Sequence, residues 1–178
     1  GEVRLRRSNR DVVFPADFQL ILAMNPCPCG KPANRCRCSG AQRARYARSI
    51  SGPLRDRLDI VCRTSLDNAV LNPNGAESST AIAQRVAEAR DRAAHRWRTC
   101  EEHTNGALTN ARVPGPWLRR YFPAEDSAMM FLSSMLARGE VSQRGIDRIL
   151  KLSWTLADLT GAQCPHLGLS LIHISDGA

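Results

Sequence analysis

The stretch that decides the fold is residues 14–30, which read FPADFQLILAMNPCPCG. Within it, Phe18–Met24 is a short and nearly continuous apolar run, which is typical of a strand buried on both faces of a sheet. Asn25 and Pro26 end this run abruptly, because Asn-Pro favours a turn. A loop rich in Cys, Gly, Pro and Arg follows, as far as about residue 40. The stretch therefore predicts a central strand of an α/β sheet, with Asn25 at the carboxyl end where such folds place ligand-contacting groups.

The segments on either side of this stretch predict further parts of the same sheet. Residues 1–18 predict a β-hairpin, because apolar and charged residues alternate at 3–6, Ser8-Asn9-Arg10-Asp11 favours a turn, and residues 12–14 form an apolar return strand that Pro15 ends. Residues 42–50 predict a short basic helix, and Leu58–Cys62 predicts a second buried strand. A polar connector at 64–78 then separates this part of the chain from the second half.

The second half of the chain has helical periodicity. Apolar residues mark one face of a first helix: Ile82, Val86, Ala89, Ala93 and Trp97. Arginines mark the opposite face: Arg85, Arg92 and Arg96. A second helix is expected at 125–138 with Gly139 at its end, and a third from a cap at Ser142 to about Leu159, ended by Gly161. The pattern predicts a small all-helical domain after the α/β part.

The composition favours a globular protein and argues against a disordered, membrane-spanning or secreted one. The chain has 178 residues, of which 43% are hydrophobic and 24% charged, a globular rather than a disordered composition. No apolar run approaches the roughly 18 residues of a membrane-spanning helix, and no signal-peptide pattern opens the sequence. Aromatic residues are only 5%, so we expect the core to rely mostly on Leu, Ile, Val and Ala.

The positive charge is concentrated in the first third of the chain. The net charge is +8, and residues 1–63 contain 13 basic and 5 acidic groups, whereas residues 64–178 contain 12 of each. Such a field favours a polyanionic partner, namely nucleic acid, a nucleotide phosphate or an acidic lipid surface. A solvated arginine-rich surface explains the same count equally well.

Four of the seven cysteines lie within twelve residues and form a candidate metal site: Cys27, Cys29, Cys36 and Cys38. Four thiolates can bind one tetrahedral Zn²⁺ ion. The alternative is a reduced, proline-stiffened loop beside a phosphate or DNA surface, because Arg35 and Arg37 compensate thiolate charge without a metal. A redox disulfide is the less favoured interpretation.

Three polar residues lie where phosphate chemistry is expected. Asn25 can hold a water or bind a phosphate oxygen. Arg57 lies between a helix end and a predicted strand, with Asp59 two residues further on, which suits either stabilisation of phosphoryl charge or a structural ion pair. Arg144 lies in the first turn of the last helix, where a cation opposes the helix dipole, so it either meets an anion or is a surface arginine.

Together these motifs resemble the magnesium-chelatase-like AAA+ ATPases of the ComM/YifB type. The resemblance rests on residues 14–30, the following Cys-x-Cys pair, Arg45-Tyr46, the block SISGPLRDRLDI at 49–60 and the block SQRGIDRILKLSWTLADL at 142–159, and it extends over about residues 1–162. It implies the C-terminal portion of an α/β P-loop AAA+ fold, with a β-hairpin and buried strands followed by an all-α lid domain. Residues 1–66 would be the α/β part, 67–162 the lid, and 163–178 a tail of unassigned role.

The resemblance also implies roles for individual residues. Asn25 takes the sensor-1 position that aligns the attacking water, Arg57 that of the arginine finger reaching a neighbouring subunit, and Arg144 that of the sensor-2 arginine. The hairpin takes the position of the pre-sensor-1 hairpin, whose arginines would face DNA phosphates: Arg4, Arg6, Arg7 and Arg10. The implied protein is a bacterial, cytoplasmic, hexameric ring that uses ATP with Mg²⁺ to translocate along DNA or drive branch migration.

The sequence lacks the motifs that hold a nucleotide by themselves. It contains no Gly-x-x-x-x-Gly-Lys-Ser/Thr and no apolar strand ending in Asp-Glu, so we expect these 178 residues alone not to hydrolyse ATP. The alternative function is a stand-alone basic zinc-binding module that contacts nucleic acid. A subunit that inserts metal into a tetrapyrrole is disfavoured by the arginine-rich hairpin.

Overall fold

The computed structural model describes residues 1–8, 10–31, 33–55, 57–62, 77–100 and 109–171. The chain divides into two compact units, Gly1–Gly52 and Pro53–Ala178. The expected connector at 64–78 and the expected boundary between residues 66 and 67 fall mostly or wholly outside the described residues.

The first unit begins with the predicted hairpin, which the structure confirms. Strand β1 (Glu2–Arg7) pairs antiparallel with β2 (Arg10–Pro15), in a register that sets Val3 opposite Phe14 and Arg7 opposite Arg10. A backbone hydrogen bond from Ala16 N to Gly1 O, of 2.9 Å, continues the pairing past the strand ends. The element could be predicted because both strands are local in sequence, but the return strand begins at Arg10 rather than at Val12, so Arg10 and Asp11 lie in the strand and not in the turn.

Helix α1 (Gly40–Ala47) ends the cysteine-rich loop and corresponds to the predicted basic helix. A capping box fixes its start: Ser39 Oγ accepts from Gln42 N at 3.2 Å, and Gln42 Oε1 accepts from Ser39 N at 2.9 Å. None of the residues of α1 is buried. A short single-turn helix α2 (Gly52–Arg55) comes next along the chain.

The two buried strands predicted from apolar runs are wrong in this structure. Phe18–Met24 is not in a strand, and its Phe18 and Ile21 side chains are 71% and 81% exposed. Leu58–Cys62 is likewise outside any strand, and its Ile60 is 57% exposed. A central strand needs hydrogen-bonded neighbours on both edges and a packed layer on each face. In the described part of the chain the only sheet is the hairpin, whose two strands pair with each other.

The second unit is a helical bundle built around one long helix. It comprises α3 (Ser79–Arg98), a 3-10 turn (Asn110–Arg112), α4 (Gly115–Tyr121), α5 (Asp126–Ala137), α6 (Gln143–Thr160) and α7 (Leu167–Leu171). Helix α6 packs against α3, α4, α5 and α7. Its predicted ends are confirmed: Ser142 Oγ accepts from Gly145 N at 3.1 Å, and Gly161 closes the helix at φ +75°.

The core of this unit consists mostly of Leu, Ile, Val and Ala, as expected from composition, and a cluster of aromatic residues joins it at one point. All three tryptophans meet there with Phe122: the ring centroid of Trp97 lies 6.0 Å from Trp117 and 5.0 Å from Phe122, and Phe122 lies 6.1 Å from Trp154. Trp97 is fully buried, and its indole N–H donates to Asn110 Oδ1 at 2.9 Å. The chain has few aromatic residues, but its three tryptophans and Phe122 meet at one point, where Trp97 and Trp154 are buried and Trp117 and Phe122 are partly buried.

A buried ion pair joins α3 to α6. Arg96, expected on the solvent face of its helix, instead makes a two-pronged contact with the Asp158 carboxylate, whose side chain is only 2% exposed. Asn110 Nδ2 donates to the same carboxylate at 2.9 Å, and Arg96 lies 4.0 Å over the Trp154 ring. The predicted face of α3 is correct only in its second half, since Ala89, Ala93 and Trp97 are buried whereas Ile82 is 42% exposed.

The first part of the expected tail, 163–178, packs onto the bundle. Pro165 is fully buried, its carbonyl accepts from Glu125 N at 3.0 Å, and Leu169 is 8% exposed within the core. Among the residues that the structure describes, no helix has both the length and the apolar character needed to cross a membrane.

Candidate functional sites

The four clustered cysteines converge in the structure. The Cys27 sulfur lies 3.1 Å from that of Cys29 and 3.4 Å from that of Cys36, and the Cys29–Cys36 distance is 3.8 Å. All four sulfurs, including that of Cys38, lie within 4.8 Å of one another and are free thiols. A tetrahedral Zn²⁺ ion with Zn–S bonds of about 2.3 Å separates its ligands by about 3.8 Å. The cluster therefore has the donor set and the size for one such ion.

The loop around the cysteines is shaped by its turn residues. Gly30 adopts φ +66°, a left-handed conformation that suits glycine, and its N–H donates to Cys27 O at 3.1 Å to close a tight turn. Proline precedes each of the first two cysteines, and the 3-10 turn Ala33–Arg35 leads into Cys36. Cys27 is only 2% exposed, which makes it the anchor of the loop.

The thiols of the cluster perturb one another. Hydrogen bonding from the Cys27 thiol, and then from the Lys31 backbone N–H, lowers the pKa of Cys29 to about 6. The thiols that donate to Cys29 have raised pKa values, because losing the proton would break the hydrogen bond. This hydrogen bond raises the pKa of Cys27, and it raises the pKa of Cys38 to about 12. Hydrogen bonding within the cluster thus favours the thiolate at Cys29 and the protonated thiol at Cys27 and Cys38. A metal ion stabilises all four as thiolates and releases protons on binding.

The register of the hairpin divides its four arginines into two kinds. Arg4 and Arg6 lie on one face, each with an acidic neighbour: Arg4 Nη2 is 3.6 Å from Glu2 Oε1, and Arg6 Nε is 3.3 Å from Asp11 Oδ2. Arg7 and Arg10 lie directly opposite each other on the other face, at the end of the hairpin next to the turn. Two like charges facing each other across a strand pair are destabilising. An anion bound between Arg7 and Arg10 would offset this cost.

Asn25 lies at the base of the cysteine loop. It is exposed, and a Cβ atom on Gly30 would stand 3.3 Å from its Nδ2. The carboxamide is thus held beside the tight turn of the loop, and the structure places Asn25 next to the candidate metal site.

Arg57 lies in the second unit, just after α2. It is exposed, and its Nη1 donates to Pro53 O at 2.7 Å. Asp59, which the sequence suggested as its orienting partner, acts on Lys151 instead: burial lowers the pKa of Lys151, and the Asp59 charge opposes this shift. The hydrogen bond to the Pro53 carbonyl, in helix α2, therefore orients the Arg57 side chain, and an ion pair with Asp59 does not.

Helix α6 carries Arg144 and, one turn later, contacts the segment that follows Arg57. Arg144 is exposed in the first turn of α6. One turn further along, Arg148 Nη1 donates to Leu58 O at 2.9 Å. Sequence reasoning missed Arg148 as the side chain that holds Leu58 against α6, and it missed Lys151, which donates to Ala111 O at 2.8 Å and senses the Asp59 charge. The signal was present, because residues 144, 148 and 151 are spaced to lie along one face of a helix.

Comparison with known proteins identifies the family of the chain. Residues 1–70 match the family described as magnesium chelatase, subunit ChlI, and residues 76–168 match the family described as magnesium chelatase, subunit ChlI C-terminal. The chain belongs to the magnesium-chelatase-like family. This confirms the resemblance drawn from the Asn-Pro-Cys-Pro-Cys-Gly block and the last helix, and the second match continues a few residues beyond the expected limit at 162.

Relatives of this magnesium-chelatase-like chain include proteins with and without an assigned role. The uncharacterized protein Rv2897c of Mycobacterium tuberculosis H37Rv is 45% identical over 93% of this chain and 32% of its own length. YifB of Escherichia coli K12 is 33% identical over 89% of the chain and 30% of its own length. The competence protein ComM of Haemophilus influenzae Rd is 33% identical over 96% of the chain and 33% of its own length. The chain thus spans about a third of the length of the curated relatives that it matches.

Proposed function

We propose that this chain is part of an AAA+ ATPase that couples ATP hydrolysis to translocation along DNA or to branch migration. The observation that carries the proposal is the family match over both halves of the chain, together with relatives that include a competence protein. Competence is the capacity of bacteria to take up DNA, which makes DNA the substrate to expect. The proposed place of action is the bacterial cytoplasm.

In this proposal the hairpin contacts the DNA backbone, mainly through its tip. Arg4 and Arg6 each have an acidic neighbour within 3.6 Å, whereas Arg7 and Arg10 oppose each other. Each phosphate neutralised by an arginine releases counterions and makes the affinity dependent on salt. The proposal therefore assigns the DNA contact of the hairpin mainly to Arg7 and Arg10, with Arg4 and Arg6 supporting it.

The nucleotide-facing roles fall on three residues. Asn25 aligns the attacking water, Arg57 stabilises the charge that develops on a neighbouring subunit's γ-phosphate, and Arg144 contacts the nucleotide from the helical domain. ATP with Mg²⁺ is the proposed cofactor, and a homo-oligomeric ring, a hexamer, is the proposed assembly, because a finger that acts in trans requires a neighbour. The 178 residues contain no phosphate-binding loop motif, and we expect them not to hydrolyse ATP alone.

The cysteine cluster is proposed to hold one Zn²⁺ ion as a structural site. Its four sulfurs lie within 4.8 Å of one another, and Cys27 is buried. Closed sites with four cysteine ligands contribute directly to folding. The ion would replace, for this loop, the apolar core that the described residues of the first unit largely lack.

The arginine-finger assignment has a direct test in the full-length protein. Arg57→Ala should abolish ATP hydrolysis while nucleotide binding persists, and Arg55→Ala, at another exposed arginine two residues away, is the control. Because the finger acts on a neighbour, adding excess Arg57→Ala subunits to the wild-type protein should inhibit hydrolysis more than simple dilution does. Unchanged turnover of Arg57→Ala would remove the finger assignment.

A second candidate function is a basic zinc-binding module that contacts nucleic acid without hydrolysing ATP. It is favoured by the convergence of the four cysteines in a unit, Gly1–Gly52, that carries most of the net positive charge of the chain. A full-length protein that binds DNA and zinc but neither binds nor hydrolyses ATP would support this candidate over the first.

A further inference from the structure

The cysteine loop and helix α1 form a basic surface separate from the hairpin. No Asp or Glu occurs between Asp17 and Asp56, whereas six basic residues fall in residues 18–52. They are Lys31, Arg35, Arg37, Arg43, Arg45 and Arg48, and all six are exposed. Within the described residues of the first unit, no ion pair involves any of them. This density of uncompensated positive charge is costly for folding.

The loop has a concave part that is lined by these cations. An open cavity of about 650 Å³ is bordered by Lys31, Asn34, Arg35, Cys36 and Arg37. Arg35 and Arg37 flank Cys36, so the sulfur cluster fixes the backbone that carries both guanidinium groups. Arginine side chains held on a fixed backbone are suited to phosphate oxygens, which they bind in a fork geometry.

Helix α1 and its C-cap residue are also positively charged, and no contact within the helix explains why its arginines are there. Eight residues are too few for a stable isolated helix, and none of the residues of α1 is buried. Arg45 and Arg48 are three residues apart and therefore face the same side, where like charges repel. No acidic residue lies in the first turn to offset the dipole. A polyanion bound along α1 compensates all of these costs.

We propose that the loop at 26–39 and helix α1, which together we name the basic loop surface, bind the phosphodiester backbone of a nucleic acid. This is a second contact, beyond that of the hairpin, and the inference rests on the proposed function for its choice of nucleic acid. We choose nucleic acid over an acidic membrane because the described residues of this surface expose no large apolar side chain; the exposed apolar side chains of Phe18–Met24 precede it in the chain, and the vesicle experiment below tests them. The zinc site holds the surface in shape.

The test measures how affinity for a short mixed-sequence DNA duplex varies with salt, using the full 178-residue chain. Arg35→Gln with Arg37→Gln should reduce the slope of log affinity against log salt by about 1.8, since each lost phosphate contact removes about 0.9. Arg90→Gln with Arg98→Gln removes the same charge from exposed sites on α3 and should leave the slope unchanged. A slope in the loop variant equal to that of the control overturns the inference.

The hairpin variant separates this inference from the proposed function. If Arg7→Gln with Arg10→Gln reduces the slope and the loop variant does not, the hairpin contact stands and the basic loop surface is refuted. If the loop variant reduces the slope and the hairpin variant does not, the inference stands and the hairpin assignment fails. Stronger binding to phosphatidylserine vesicles than to DNA, lost in the loop variant, would overturn the choice of nucleic acid.

Metal removal tests the role of the zinc site. After chelation, the wild-type chain and the Arg35→Gln, Arg37→Gln variant should have the same slope of log affinity against log salt. Without the metal, the loop no longer holds Arg35 and Arg37 in position to contact phosphates. Circular dichroism should show that the helices of the second unit persist. A slope difference that survives chelation would overturn the dependence of the surface on metal.

Discussion

The buried pair between Arg96 and Asp158 predicts a large and specific loss of stability. The Asp158 side chain is 2% exposed and that of Arg96 is 15% exposed, so neither group can be solvated when its partner is removed. Asp158→Ala leaves the Arg96 guanidinium without a counter-charge and Asn110 Nδ2 without one of its acceptors. Breaking a buried pair in this way costs about 3–5 kcal/mol, a large part of the free energy of unfolding of a domain of this size.

Urea unfolding followed by tryptophan fluorescence measures this loss, because Trp97 and Trp154 lie beside the pair. Glu140→Ala, which breaks the exposed Arg138–Glu140 pair, is the control, and its effect should be a small fraction of that of Asp158→Ala. The double variant Arg96→Met, Asp158→Leu should recover most of the stability, because both charges leave the interior together. An Asp158→Ala chain as stable as the Glu140→Ala control would refute the reasoning.

Two further predictions concern the cysteine cluster. Metal analysis of the purified chain should find one zinc ion per molecule, absent from Cys27→Ser and retained in Cys62→Ser, since Cys62 is exposed and outside the cluster; a metal-free wild-type chain that folds normally would leave only the thiol-loop interpretation. Gly30→Ala should weaken zinc binding about tenfold, because a left-handed residue with a Cβ costs roughly 1–2 kcal/mol. Gly40→Ala, at an ordinary helical position with open space around it, should bind zinc like the wild type, and equal affinities of the two variants would contradict the role of the turn.

Elements set by nearby residues could be predicted from the sequence. The hairpin follows from alternation around a short turn, and α6 begins at Ser142 and ends before Gly161 as the capping rules require. The four cysteines converge because their spacing already restricts them to one loop. Each of these features depends on fewer than about twenty consecutive residues.

Features that depend on distant partners could not be predicted. Phe18–Met24 has the composition of a buried strand, but burial also requires neighbouring strands, and the described residues provide none for it. The pairing of Arg96 with Asp158 spans 62 residues and depends on how α3 crosses α6. An acidic residue beside Ala157 on the apolar face of α6 was the one local signal, because a buried carboxylate needs a cation.

The pairing of Arg7 with Arg10 across the hairpin depends on nearby residues but could be predicted only in part. The two arginines are direct partners in the strand register, and the pairing follows from the sequence only once the register is known, because the turn chemistry at residues 8–11 placed Arg10 in the turn. The sequence pattern alone leaves the four arginines of the hairpin equivalent. The register separates the two with acidic neighbours from the two at the tip.

We propose that this chain belongs to a motor in which DNA and ATP act on the same assembly. The measurement that tests it most directly is the rate of ATP hydrolysis by the full-length protein with and without DNA. We predict hydrolysis that accelerates when DNA is added, with the acceleration reduced by Arg7→Gln and Arg10→Gln. Hydrolysis at the same rate with and without DNA, or no hydrolysis under either condition, would contradict the account.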